Sequence, residues 1–392
     1  MNEFIIKGSK NYYIAILALF LGSLAAFGLE YCIQPILPAI SETFSVSPSV
    51  ASIAMSIGLV GMAVSMILIA SFADKLKRKK AMVIALIIGA GLAVLMSLTS
   101  NFKLICVLRF IQGLLLACFP ALALAYINEE FPPEITGKIV GIYIAGASIG
   151  AFLGRFVTSY LTSIFDLQIG LLATGISYLI IALFFLICLP KEKNHIANNL
   201  VKVNVLEEFK KIIKNSKLIT LYFIGFAGAG SLAAVFNYIS YLLIAPPYNL
   251  SQTIIGSLFC FQLLGSIAAA IMGHLADKYG KGKILCLCLV IFIFGITITL
   301  LPSLWAKILG FVVIIIGFLS SHSVASGWVG KCYDGDKARA ASLYMLSYYI
   351  GASTIGTIGG IFFSSYGWSG LMIFLGLILT VTLLLISRYR NS

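Results

Sequence analysis

The sequence predicts an all-α integral membrane protein, with twelve transmembrane helices in two pseudo-symmetric six-helix bundles. Three observations predict it. The chain of 392 residues is 60% hydrophobic and only 10% charged, whereas soluble domains are about 45–50% apolar and about 25% charged. A soluble core cannot absorb that excess, but a lipid-facing surface can. Apolar runs of roughly 20 residues, the length that crosses a bilayer as a helix, recur at 13–36, 50–70, 81–99, 104–127, 139–161, 168–189, 219–244, 253–272, 284–301, 307–328, 340–362 and 369–387. The basic residues, finally, gather in every second loop. Of the 27 Lys and Arg, 23 lie at the termini and in the loops that share their side, Lys103 and Lys307 lie in the others, and Arg109 and Arg155 fall inside runs. The positive-inside rule then places both termini in the cytoplasm. That asymmetry also accounts for the net charge of +13, so no nucleic-acid partner is expected.

The elements follow in order. The first run is long enough to span and has no small-residue cleavage site after it, so it reads as a helix and not a signal peptide. The longest hydrophilic stretch, 191–217, reads as a cytoplasmic linker between a bundle at 1–190 and a bundle at 218–392. Within it VLEEFKKIIKN (205–215) has apolar residues at helical spacing; it either lies on the membrane surface or is a solvated linker with a turn or two of helix. The halves resemble each other. SFADKLKRKK ends the second run and HLADKYGKGK the eighth; GIYIAGASIGAFLGR and SYYIGASTIGTIGG lie in the fifth and eleventh. Asp74 and Asp277 are 203 positions apart, and Gly146 and Gly351 are 205 apart. Two features at nearly one offset indicate a duplicated six-helix unit with a polar cavity at the interface of its copies.

Several function classes drop out. No GxxxxGK[ST] phosphate loop is present, so the chain does not hydrolyse ATP by that route. His195, His274 and His322 are far apart and few for a metal centre. Of the eight cysteines seven lie in apolar runs and read as small buried hydrophobes, and Cys332 follows a run. No enzyme activity, metal or cofactor is expected.

GHLADKYGKGK (273–283) resembles the loop signature of the major facilitator superfamily: a glycine, an aspartate four residues on, a glycine three further, then basic residues. The first-half copy, ASFADKLKRK, has Ala70 and Lys77 where the glycines would be. LRFIQG (108–113) resembles the R-x-x-Q-G signature of proton-coupled members. FNYISYLLIAPPYNLSQT (236–253), EYCIQPILP (30–38) and the glycine-rich fifth helix ending in Arg155 resemble the bacterial arabinose-efflux-like, inner-membrane drug-exporter-like branch. One departure is Gly146–Ala147, where many drug/proton antiporters carry Gly-Pro. The resemblance implies an inner-membrane secondary transporter that exports a small organic molecule against protons by alternating access. Its partners would be the bilayer, the substrate and protons, and nothing requires more than a monomer. It further implies a cytoplasmic gate of Asp74, Lys75, Arg78, Gly273, Asp277, Gly280 and Lys281. An uptake symporter or uniporter of the same fold, or a non-transporting membrane sensor, are the alternatives.

The intramembrane polar residues are the candidate site. Glu30 is the only acid placed inside a run, and a charge at the bilayer centre costs several kcal/mol, on the order of 3 by insertion scales. The resemblance implies that the first, fourth and fifth helices are adjacent, which would bring Glu30, Arg109 and Arg155 together at similar depth. Three readings follow for Glu30. It carries the coupling proton, it forms a static ion pair, or it is solvated at the outer interface. His322, beside three serines, is a further titratable candidate. Tyr31, Gln34, Gln112, Asn237, Tyr238 and Tyr241 are candidate linings of a substrate cavity, since aromatic surface with a few polar groups suits an amphiphilic molecule.

Overall fold

The computed structural model describes residues 4–72, 76–194, 215–333 and 337–390. Asp74, Lys75 and residues 195–214 of the expected linker lie outside them. The described residues are helical almost throughout.

Helix α1 (Lys10–Tyr31) is N-capped by Ser9, whose hydroxyl accepts from the Tyr12 amide. It stops at Tyr31, gives way to a 3₁₀ turn over Gln34–Ile36, and resumes as α2 (Leu37–Phe44). The cause is in the sequence: Pro35 and Pro38 lack amide hydrogens, so the carbonyls one turn upstream have no helical donor. α3 (Pro48–Phe72) and α4 (Arg78–Ser97) follow. The fourth expected span divides into α5 (Phe102–Leu116) and α6 (Cys118–Glu130), where Pro120 removes the donor for the Leu116 carbonyl. α7 (Pro133–Ile164) and α8 (Leu167–Cys188) complete the first half. The second half holds α9 (Ser216–Ile244), α10 (Gln252–Leu258), α11 (Phe261–Tyr279), α12 (Lys281–Ile298), α13 (Leu304–Val329) and α14 (Lys337–Ser387). Gly280 stands between α11 and α12 at φ +98°, a conformation glycine adopts without penalty and other residues do not.

Among the described residues, eleven helical segments are long and apolar enough to cross a bilayer. The last, Arg339–Ser387, runs 49 residues and breaks at Gly367, φ +63°. The eleventh and twelfth expected spans lie on either side of that break. Large apolar side chains stand exposed along the spans, Ile187 at 80% and Leu377 at 64%, as contact with lipid requires.

The chain forms two compact units. One comprises Met1–Ser45, Ile57–Leu200 and Ser251–Ser257; the other Val46–Ser56, Val201–Leu250 and Leu258–Ser392. They follow the two halves except that the start of α3 and most of α10 are exchanged. Each unit is built on one close seam of small residues. In the first, α7 lies along α1: a Cβ at Gly146, Gly150 or Gly154 would strike α1 at Phe20, Leu24 and Gly28. In the second, α14 lies along α9, with Gly351 against the backbone of Phe226. Without a hydrophobic drive between helices in lipid, such close backbone approach supplies the packing.

Candidate functional site

The first unit gathers three of its buried charges, Glu30, Arg109 and Arg155, at the broken end of α1. A helix leaves its last carbonyls without intrahelical donors, and here a cation takes them. Arg109, from the second turn of α5, is fully buried. Its guanidinium donates to the Leu29 carbonyl at 3.2 Å and to the Glu30 carbonyl at 2.7 Å. It also donates to Gln112 Oε1, and Gln112 in turn donates to the Gly89 carbonyl of α4 at 2.7 Å. Arg109 thus caps α1 electrostatically and by hydrogen bonds.

Glu30 is 1% exposed, which rules out the solvated interfacial position. Its Oε1 lies 3.6 Å from Arg109 Nη2, yet neither carboxylate oxygen accepts a hydrogen bond from a described residue. A close carboxylate–guanidinium pair normally shares two N–H···O bonds at about 2.7–2.9 Å. Here the attraction is Coulombic only, because the arginine's donors are engaged by backbone and Gln112. Room for the pair comes from Gly58 of α3, where a Cβ would sit 2.9 Å from Arg109 Nη2 and 3.2 Å from Glu30 Oε1. Gly113 lets α5 reach α3 at all, since its Cβ would fall on the Gly58 backbone.

Arg155 of α7 reaches the same broken end from the other side and is 2% exposed. Its Nε donates to Gln34 Oε1 at 2.9 Å, its Nη1 to the Ala151 carbonyl at 2.8 Å, and its guanidinium lies 4.4 Å over the Tyr31 ring. Gln252 of α10 donates to the Pro35 carbonyl at 2.5 Å, and the Gln252 carbonyl accepts from Ser159 at 2.5 Å. Glu30, Arg109 and Gln112 therefore form one buried polar cluster, and Tyr31, Gln34 and Arg155 form a second one beside it along the same chain segment. Gln34 and Gln112 are buried and hydrogen-bonded within them.

The second unit carries aromatic groups instead. Asn237 is 1% exposed; Tyr238, fully buried, donates to the Gly356 carbonyl at 3.0 Å. Tyr241 packs with Tyr238 and Phe363, centroids 6.3 and 6.0 Å apart. His322 Nδ1 is 2.9 Å from the Tyr344 hydroxyl, with Phe318 stacked on its ring at 5.8 Å.

Of the residues assigned to the gate, Arg78 forks onto Glu129 at the end of α6, 3.2 and 2.8 Å. Asp277, 63% exposed at its side chain, lies 3.3 Å from Lys331 and 4.0 Å from Lys281. Gly273 is loosely packed, its nearest neighbour the Ser323 hydroxyl. Glu130, which ends α6 beyond the 104–127 run, is also 1% exposed and accepts the amides of Lys193 and Asn194 at 2.8 Å each. One expectation needs correcting. Lys307 is not a loop residue. It sits in the first turn of α13, 5% exposed, donating to the Thr299 carbonyl at the end of α12.

These clusters lie on a chain whose residues 19–259 and 226–391 match the family model described as Major Facilitator Superfamily. The chain is 35% identical over 389 residues to the uncharacterized MFS-type transporter YybF of Bacillus subtilis, covering 99% of this chain and 96% of that one. The chain belongs to the major facilitator superfamily. It is also 34% identical over 390 residues to the inner membrane transport protein YnfM of Escherichia coli, covering 100% of this chain and 94% of that one. Its fold matches the crystal structure of the nucleoside transporter NupG, TM-score 0.77, at 17% identity, over 96% of this chain and 99% of that one. It is thus a multi-pass membrane transporter of the major facilitator type and not an enzyme. Sequence reasoning found this major facilitator chain's charges but missed Gly58, Gln252 and Glu129. The acidic pair ending the fourth run, opposite a basic loop, was a readable signal for Glu129. Gly58 had none, since it is one glycine among 36.

Proposed function

We propose that this transporter exports a small organic molecule in exchange for protons, by alternating access across a bacterial inner membrane with both termini cytoplasmic, and that Glu30 carries the proton. One observation supports the assignment of Glu30 above the others. Its carboxylate is buried at 1% exposure with no hydrogen bond to either oxygen, 3.6 Å from an arginine whose donors are held by the Leu29 and Glu30 carbonyls and Gln112. A static pair would be expected to gain direct hydrogen bonds. Protonating this Glu30 breaks none and leaves Arg109 satisfied. Burial without hydrogen bonds favours the neutral acid, and the guanidinium favours the carboxylate, so a small movement of α1 against α5 shifts the balance. Arg109 holds the helix end in place and supplies the counter-charge; Arg155 orients Gln34 and Tyr31 beside it. The export direction rests on the resemblance of FNYISYLLIAPPYNLSQT and EYCIQPILP to the efflux-like branch; the inner membrane rests on the relative YnfM, an inner membrane transport protein, and the orientation on the basic-loop bias.

The test is proton movement in proteoliposomes challenged with a panel of amphiphilic compounds, wild type beside Glu30→Gln. Gln keeps the shape and removes the proton. In wild type a compound moves protons in the opposite direction to itself. In Glu30→Gln that movement is lost and its pH dependence flattens, while exchange of the compound across the membrane continues. Retained coupling in the variant removes Glu30 from the mechanism. Protons and compound moving together in wild type make the chain a symporter, and no proton-linked flux with any compound leaves the sensor reading.

A further inference from the structure

The basic end of the first unit holds a pocket that the transport reading does not use. It has a volume of about 500 Å³ and is lined by Lys77, Lys79, Lys80 and Lys191, with Glu192 and an apolar floor of Val83, Ile84 and Leu186. Four lysines against one glutamate leave an excess of three positive charges. Lys79 is held in place: its Nζ donates to the Leu189 carbonyl and its amide to Glu192 at 3.3 Å. Lys77, Lys80 and Lys191 are exposed and free to close on an anion.

The floor continues as lipid-facing surface. Ile84 and Ile88 of α4, spaced i, i+4, are 41% and 43% exposed; Leu183, Leu186 and Ile187 of α8 are 45%, 41% and 80% exposed. The basic pocket therefore opens onto two apolar ridges descending along the spans. A soluble anion has no use for such ridges, whereas a phospholipid needs both halves: cations at the headgroup level and apolar side chains along its acyl chains. Lysine also suits a phosphate, which it meets as a point charge.

We propose that this pocket between the start of α4 and the end of α8 binds the phosphate headgroup of an anionic phospholipid, its acyl chains lying along Ile84, Ile88 and Leu186. With the termini cytoplasmic, the lipid belongs to the cytoplasmic leaflet. Bound there, it bridges the α3–α4 loop to the segment that leaves α8.

The test is native mass spectrometry of the full chain extracted from vesicles of equal phosphatidylglycerol and phosphatidylcholine with identical acyl chains. Wild type retains phosphatidylglycerol over phosphatidylcholine. Lys77→Gln/Lys80→Gln retains about thirtyfold less of it, the scale expected for two lysines at a lipid surface. Lys278→Gln/Lys283→Gln, which removes the same charge from the second unit, behaves as wild type. Lys191→Gln is the second probe should the double variant not fold, with a threefold or greater loss expected. Equal retention of the two lipids overturns the proposal, as does equal loss in the two double variants. A third overturning result is sn-glycerol 3-phosphate or inorganic phosphate displacing phosphatidylglycerol at equimolar concentration, which makes the pocket a site for a soluble anion.

Discussion

The two units share a scaffold and differ in what they bury. In each, a long glycine-bearing helix lies along the first helix of the half, α7 on α1 and α14 on α9. In the first unit the partner helix is broken at Tyr31 by Pro35 and Pro38, and its open end is filled by Glu30, Arg109, Gln112, Gln34 and Arg155. In the second, α9 runs unbroken to Ile244 and a buried cluster is aromatic, made of Phe318, His322, Tyr344 and Tyr348. Duplication supplied the frame twice; among the described residues, only the first unit breaks the opening helix of its half and gathers charges at the break. A buried arginine can use a carbonyl of an unbroken helix, as Arg155 does with Ala151. What the break adds is carbonyls without a helical donor, and Arg109 takes two of them.

Removing the arginine tests this most severely. Arg109→Ala strands the Glu30 carbonyl, leaves the Leu29 carbonyl to the weak Cys32 thiol donor, and leaves a buried carboxylate without its counter-charge. The expected loss is about 3–5 kcal/mol, read as the unfolding midpoint in detergent. Arg109→Lys recovers only part, because one ammonium cannot fork between two carbonyls and Gln112. The counterpart in the second unit, Phe318→Leu, removes packing alone and is expected to lose about 1 kcal/mol, with proton coupling unchanged. Comparable losses at the two sites would mean that the charges are ordinary packing.

Gly58 sharpens the same contrast. An added methyl at Gly58 meets Arg109 Nη2 at 2.9 Å and Glu30 Oε1 at 3.2 Å; at Gly228 it meets the Phe318 ring at 3.3 Å. An aromatic ring yields by a few tenths of an ångström, but an arginine pinned by three acceptors does not. Gly58→Ala should lose about 2 kcal/mol of stability and shift the pH profile of transport, whereas Gly228→Ala should lose under about 1 kcal/mol and leave the profile in place. Thermal melts and proton-flux profiles of both variants decide it.

What the sequence made legible follows the same division. Spans were readable because each is a run of apolar residues set by bilayer thickness, and the duplication because its glycines keep a fixed offset. Glu30, Arg109 and Arg155 stood out because charges inside apolar runs are rare. Their partners did not stand out. Arg109 binds main-chain carbonyls, which carry no residue identity. The breaks at Pro35 and Pro120 were visible as prolines, yet the cation that uses the first break lies 79 positions away along the chain. Lys307 was misplaced for a related reason: a cation capping a helix end and one in a loop look alike until the neighbouring helix is in place.

The two loop motifs give the smallest and cleanest test. Arg78 stands in the degenerate first copy, is 3% exposed at its side chain, and forks onto Glu129, 14% exposed. Asp277 stands in the well-formed second copy, yet it is 63% exposed and its partner Lys331 is 67% exposed. Burial and fork geometry make the first pair the stronger, whatever the motif's regularity. Glu129→Gln should therefore lose about 1.5 kcal/mol, the scale of a charged hydrogen bond. Asp277→Asn should lose under about 0.5 kcal/mol, since exposed pairs are screened by water and salt. Because little of the ground-state stability of this structure depends on Asp277, any larger effect of Asp277→Asn on transport than on melting must come from another conformation of the cycle. If instead Asp277→Asn melts as early as Glu129→Gln, the exposed pair is structural and the two copies of the motif do the same work.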